Sequence, residues 1–275
     1  MNARALAVWA AAGLTVAVAV SNPVYRGLLI LAALNLVLVG GRPGVSRRPL
    51  LITLLFAVVL ATAFNAVLGH TGTHVVWRLP EAIPVLGGAL TLEGLAFGAG
   101  VGLGLAAAVL ALAPLSLCLE PDQLVGALPP SLGRTGAALG AALNLVPAIT
   151  RSVAAIGEAQ RLRGVPAGLL GARAILLPAT LTALEDSLQL AESMEARAYG
   201  SGPRTSFTRA GWRAADSVLV LVSAGVALGF LAGHGLGLIR DWYPYPSLTA
   251  PPVSLLGVGL VLLLSLPALQ WRSSS

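Results

Sequence analysis

Long apolar runs separated by short polar breaks make up most of the chain, and one polar stretch interrupts them. Six runs stand out: Ala5 to Val20, Gly27 to Gly40, Leu50 to Gly69, Leu92 to Leu119, Val218 to Ile239 and Val253 to Leu269. Runs of this length are what a bilayer demands of a spanning segment. Backbone facing lipid must satisfy its own N–H and C=O groups, so the runs are expected as helices. The first two are short, since a run such as Ala5 to Val20 reaches only about 24 Å against a hydrocarbon core of about 30 Å. They are expected either as an embedded hairpin around Asn22 and Pro23 or as spans extended by their flanks. The expected fold is all-α: a polytopic helical membrane protein of about six transmembrane helices.

The polar stretch runs from about Glu120 to Ala215 and divides the chain into residues 1–119, 120–215 and 216–275. Leu181, Leu184, Leu188, Ala191 and Ala198 recur there at helical spacing, with Glu185, Asp186, Gln189 and Glu192 on other faces. Pro178 is expected to open this helix, where its missing N–H costs little, and Gly200, Gly202 and Pro203 to end it. A preceding helix is expected from Ser131 to about Gly164, bent at Pro147 and stopped by Pro166 and Gly168. The insert therefore reads as bent amphipathic helices, too apolar to stand free in water.

Composition supports a membrane location. The chain is 56% hydrophobic and 10% charged, with a mean hydropathy of +0.85, where soluble domains carry about 25% charged residues. All 17 basic side chains are arginine. Without lysine there is no P-loop lysine to hold nucleotide phosphates and no amine for a Schiff base, so the chain is not expected to hydrolyse ATP itself by a P-loop mechanism. The isoelectric point near 10.7 reflects where the arginines fall rather than nucleic-acid binding. With the amino terminus inside the cell, Arg4, Arg42, Arg47, Arg48, the arginines from Arg134 to Arg213, and Arg272 are all cytoplasmic, and only Arg26, Arg78 and Arg240 are not. The first run lacks a strongly basic start and a small-residue cleavage site before Pro23, so it is expected as a span and not a signal peptide. Cys118 is the single cysteine, which allows no internal disulfide.

Two charged patches lie in the insert: Glu158-Ala-Gln-Arg-Leu-Arg-Gly164 and Met194-Glu-Ala-Arg-Ala-Tyr-Gly200. Each sets an arginine near a carboxylate at an expected helix C-terminus, where the dipole favours a cation. A guanidinium there presents a planar fork to carboxylates or carbonyls of a partner. The small neighbours Ala159, Gly164, Ala196 and Ala198 allow close approach. Solvated helix-end charges held by intrahelical pairs are the plain alternative for one such patch; two similar patches on one side of one protein favour a docking role. Small residues are also dense at Gly94, Gly98, Gly100, Gly102 and Gly104, and at Gly133, Gly136, Ala137, Gly140 and Ala141, a spacing that lets helices pack backbone to backbone. His70 and His74 stand four apart, but Thr71-Gly72-Thr73 between them reads as a loop and only the distant Glu81 is near, so neither a metal nor a cofactor is expected. An integral-membrane enzyme built on these histidines is the rival from a different class, yet no nucleophile–base–acid set accompanies them. His234 reads as structural. Trp9, Trp77, Trp212, Trp242 and Tyr243 are expected at the membrane interfaces.

Several of these pieces together resemble the transmembrane T component of energy-coupling-factor (ECF) transporters, the EcfT/CbiQ family. The segment Pro121 to Pro130 is similar to the family's stretch after its fourth span. Asn144-Leu-Val-Pro147 resembles the proline-bearing stretch before the first coupling motif. The two patches resemble the paired Ala-Arg-Gly coupling motifs, here Leu162-Arg163-Gly164 and Ala196-Arg197-Ala198. The resemblance implies a non-catalytic scaffold in the plasma membrane of a prokaryote, with residues 120–215 as a cytoplasmic coupling domain. It implies that Glu158, Ala159, Arg163 and Gly164 form one ATPase contact and Glu195, Ala196, Arg197 and Ala198 the other. The implied partners are two ABC ATPase subunits, identical or different, and a membrane-embedded substrate-binding S component set on Gly136, Ala137, Gly140 and Ala141. Cargo choice would lie with the S component, leaving vitamins, cobalt and nickel open. One competing resemblance overlaps the first patch: Glu158-Ala-Gln, Gly164 and Ile175-Leu-Leu-Pro178 are similar to the coupling loop of conventional ABC importer permeases, a scheme with no place for the second patch.

Overall fold

The computed structural model describes residues 2–42, 45–69, 71–79, 88–119, 123, 133–164, 169–198 and 211–268. In chain order the elements are α1 (Ala3–Ala19), α2 (Pro23–Gly40), α3 (Arg48–Leu68), β1 (Val75–Leu79), β2 (Gly88–Thr91), α4 (Leu92–Leu117), α5 (Gly133–Leu162), α6 (Leu169–Ala196), α7 (Ala214–Gly235) and α8 (Leu255–Leu263). They fall into two compact units, one of residues 1–120 and 211–275 and the other of residues 121–210.

In the first unit each apolar run is a helix. Among the described residues five helices are long and apolar enough to cross a membrane: α2, α3, α4, α7 and, in the second unit, the stretch Ala138–Leu162 of α5. Helix α1 and the region Leu255–Ala268 are apolar but shorter. The protein is a multi-pass membrane protein. The count differs from the six runs because α5 is more apolar than an amphipathic insert requires, while α1 and α8 fall below the length of a straight span. One feature is not helical at all: β1 and β2 pair antiparallel, with Trp77 opposite Leu90 and Leu79 opposite Gly88, between α3 and α4.

Helix α4 is the centre of this unit, packed by α1, α2 and α3. Its glycines decide how closely α3 lies. A Cβ on Gly98 would stand 2.8 Å from Thr62 Cα, and one on Gly102 would stand 2.8 Å from Val58 Cα. The two helices thus run antiparallel with their backbones in contact, as small-residue spacing permits. The far side of α3 (Ile52, Leu55, Phe56, Val59, Leu60, Phe64) is exposed, as a lipid-facing surface is.

Polar side chains join the other helices. Asn22 caps α2 by accepting from the Val24 N–H (3.0 Å) and donates to the Pro252 carbonyl (2.7 Å). The Tyr25 hydroxyl accepts from the Ser254 N–H (2.8 Å), and its ring meets Phe230 edge-on at 5.7 Å. Trp9, fully buried, donates its indole N–H to the Leu264 carbonyl at 2.9 Å. This corrects the expected interfacial place of Trp9: its apolar body fills the bundle and its one donor is satisfied there. Trp77, Trp212 and Tyr243 are exposed, whereas Trp242 is buried and donates to the Thr249 carbonyl.

The two ends of the first unit differ in charge. At one end the Asp216 carboxylate accepts from the Asn2 N–H (2.9 Å) and the Arg213 N–H (3.0 Å), tying the start of α1 to the start of α7. Arg42 donates to the Leu117 and Ser116 carbonyls at the end of α4, and Arg47 donates to the Gly41 carbonyl. This end therefore gathers Arg4, Arg42, Arg47, Arg48 and Arg213, and the chain leaves and re-enters the unit here. The opposite end holds the hairpin with Arg78, the α7–α8 connection with Arg240, and Arg26 at the start of α2.

In the second unit α5 and α6 form a helical hairpin. A Cβ on Gly157 would stand 3.5 Å from Ile175 Cδ1. Pro178 does not open α6; it lies inside it. A proline there removes the donor to the carbonyl of residue 174, and the Gln160 side-chain amide of α5 reaches that carbonyl at 3.5 Å. The orphaned acceptor has a donor from the neighbouring helix, which lets the helix continue through the proline. Pro147 likewise lies inside α5. The expected stop signals Pro166, Gly168, Gly200, Gly202 and Pro203, and the segment Pro121 to Pro130 apart from Gln123, lie outside the described residues.

Candidate functional site

Helices α5 and α6 end in the same way. At the first end the Arg163 N–H donates to the Ala159 (3.2 Å) and Gln160 (3.1 Å) carbonyls, and the Gly164 N–H donates to Arg161 (3.0 Å). At the second the Arg197 N–H donates to Ser193 (3.3 Å) and the Ala198 N–H to Glu195 (2.8 Å). Each arginine is the last residue to reach back four positions, and the next residue closes a tighter turn. That next residue is left-handed in both cases, Gly164 at φ +76° and Ala198 at φ +55°. A left-handed residue turns the chain off the helix axis, which leaves each arginine at a helix tip.

Arg163 and Arg197 are both exposed, as are Glu158, Ala159, Glu195 and Ala196; Leu162 beside the first is 85% exposed. Among the described residues neither arginine side chain makes a hydrogen bond or an ion pair, and neither Glu158 nor Glu195 forms one. Among the described residues, then, neither glutamate pairs with the arginine of its own patch. On α6 the stripe Leu177, Leu181, Leu184 and Leu188 is exposed as well. Gly136, Ala137, Gly140 and Ala141 fall in the first half of α5 at positions that share one helix face; of their side chains only Gly140 is described, and it is half-buried.

The histidine reading changes. His70 and Glu81 lie outside the described residues. His74 Nδ1 is 2.6 Å from Glu93 Oε1. Glu93, fully buried at the start of α4, also accepts from the Thr73 hydroxyl (2.9 Å) and from the Thr73 and His74 N–H groups. Gly72 takes φ +146° beside it, and a Cβ there would stand 2.6 Å from Glu93 Oε2. Thr91 caps α4 through the Gly94 N–H and donates to the Thr71 carbonyl. Both carboxylate oxygens are enclosed by donors, so the group is a clasp that fastens the 71–74 loop to α4. Among the described residues no three of His, Cys, Asp and Glu gather as a metal site would need. Sequence reasoning missed Glu93 as the partner because it lies nineteen residues from His74, beyond the hairpin.

A family model described as "CbiQ: Cobalt transport protein" matches residues 1–207. The match takes in the first four helices and both arginine-bearing helix ends. No curated protein matches the chain.

Proposed function

The chain belongs to the CbiQ family, whose members are non-catalytic transport proteins, and from that premise we propose that it is the transmembrane T component of an ECF-type importer. It joins two cytoplasmic ABC ATPases to a membrane-embedded S component, and the cargo is a transition-metal ion or a vitamin chosen by that S component. Arg163 and Arg197 each seat on one ATPase, with Glu158 and Glu195 meeting cations of the same partners.

The observation that carries this reading is the pair of matched helix ends. Two exposed arginines, whose side chains have no partner among the described residues, follow the same backbone closure and each precede a left-handed residue, Gly164 and Ala198. A guanidinium at such a tip binds carboxylates or carbonyls in two places at once. Because it caps a rigid helix, a movement of the seated ATPase is passed along the helix as a rigid-body displacement. The exposed leucine stripe of α6 and the small-residue face of α5 supply apolar surface for the S component. The cytoplasmic placement is supported by the arginines at the end of the first unit where residues 121–210 leave and return.

Co-purification from membranes tests the proposal. With Arg163→Glu and Arg197→Glu together, the ATPases are lost and the S component is retained. Retention of both ATPases by the double variant would sink it. Dependence on Arg163 alone, with Arg197→Glu silent, would instead favour the single coupling loop of a conventional permease.

A further inference from the structure

Helices α1, α2 and α4 enclose a groove of about 630 Å3 whose floor is made of small residues, Ala17, Gly100, Gly104 and Ala108. One cation stands in its wall. Arg26 reaches from α2 across the face of α4, where a Cβ on Gly104 would lie 2.8 Å from its guanidinium carbon. Its Nε donates to the Ala17 carbonyl (3.2 Å) and its Nη1 to the Gly100 carbonyl (2.8 Å). Nη2 donates to no group among the described residues, and no carboxylate there lies within ion-pair distance of Arg26. Asp241, which acts on Arg26 through space, already accepts from the Ser21 N–H at 2.8 Å and faces His234 at 3.8 Å.

Within hydrogen-bond distance Arg26 meets only neutral carbonyls, and Asp241 is already engaged elsewhere, so Nη2 is left to take an anion. The rest of the groove is apolar and open along one side, where Val18 (71% exposed), Val101 and Leu105 stand. Trp242 and Tyr243 line its other end, residue types that settle at the level of lipid headgroups. Tyr243 packs on Phe97 at 5.6 Å, so the aromatic end comes first along α4, then the cation at Gly100 and Gly104, then Leu105 and Ala108. We infer that the groove binds a membrane glycerophospholipid, with its phosphate on Arg26 and one acyl chain against Val101, Leu105 and Ala108 of α4. The site is independent of the ATPase contacts and stands or falls apart from them.

The test uses the full-length chain in phosphatidylglycerol nanodiscs doped with a phosphatidylglycerol whose acyl chain carries a diazirine. Photolabelled peptides are mapped by mass spectrometry. Labelling of residues 17–21 and 100–108 is expected to exceed that of the more exposed face of α3 by about tenfold, the size of one charge-assisted contact. Unlabelled phosphatidylglycerol competes, whereas diacylglycerol and inorganic phosphate do not. Arg26→Gln brings groove labelling down to the α3 level, and Arg26→Lys restores part of it. Even labelling of groove and α3 in the unaltered chain overturns the inference, and that arm needs no variant to fold. Competition by diacylglycerol would leave Arg26 without a role, and competition by inorganic phosphate alone would make the site one for a free anion; either result overturns it too.

Discussion

Ala198 holds a backbone conformation that glycine adopts freely and alanine does not. At φ +55° its Cβ crowds the neighbouring carbonyl, a cost of about 1–2 kcal/mol; Gly164 occupies the equivalent place at the other helix end without that cost. The two positions should therefore respond in opposite directions. Ala198→Gly should stabilise its helix end by about 1 kcal/mol and Gly164→Ala should destabilise its own by about the same. Hydrogen exchange at residues 193–198 and 159–164 reads both changes, and a response of the same sign at the two ends would show that they do not share a conformation. Part of this was legible in the residues themselves. Gly164 after Arg163 signals a helix stop, and the arginines announce a cationic tip. The strain at Ala198 was not, because alanine is the best helix former and gives no hint that the chain turns left-handed there. Nor could position alone tell Trp9, buried and bonded to Leu264, from a tryptophan at the membrane edge, since both look the same along one dimension.

The glycines of α4 carry two distinct duties on two faces. Gly98 lies against the α3 backbone, while a methyl added at Gly100 meets nothing within 4 Å. Gly98→Ala should thus cost about 1–3 kcal/mol through overpacking, whereas Gly100→Ala should be neutral or slightly stabilising. Denaturation in mixed detergent micelles distinguishes them, and equal losses would refute the backbone-to-backbone seam. The helices were legible from hydropathy because a bilayer sets their length and composition together, and all six runs hold a helix, although the last, expected to Leu269, ends at Leu263. Elements whose stability is borrowed from elsewhere were not. Pro178 looks like a helix start until Gln160 of α5 is seen beside the carbonyl it orphans. The β1–β2 hairpin has no strong signal of its own and stands next to a loop fastened by Glu93 and His74, a pairing no local window contains.

At the scale of the whole molecule, the asymmetric distribution of arginine becomes a statement about sidedness. The hairpin and the loop between α2 and α3 lie at opposite ends of the first unit. Ser46→Cys, in that loop, should react with a membrane-impermeant maleimide only after cells are opened, and Val76→Cys should react in intact cells; both positions are exposed. Labelling of both from outside would contradict the arrangement. The native Cys118 should stay silent, because burial pushes its thiol up to about 11 and the thiol rather than the thiolate is present at neutral pH. Four polar ties join the helices α1 and α2 and their starts to the part of the unit after residue 211: Asn2 to Asp216, Trp9 to Leu264, Asn22 to Pro252, Tyr25 to Ser254. During synthesis α1 must therefore wait, its indole donor unmatched in lipid, until α8 arrives. A nascent chain halted before α8 would hold an unfinished α1 that quality control could recognise.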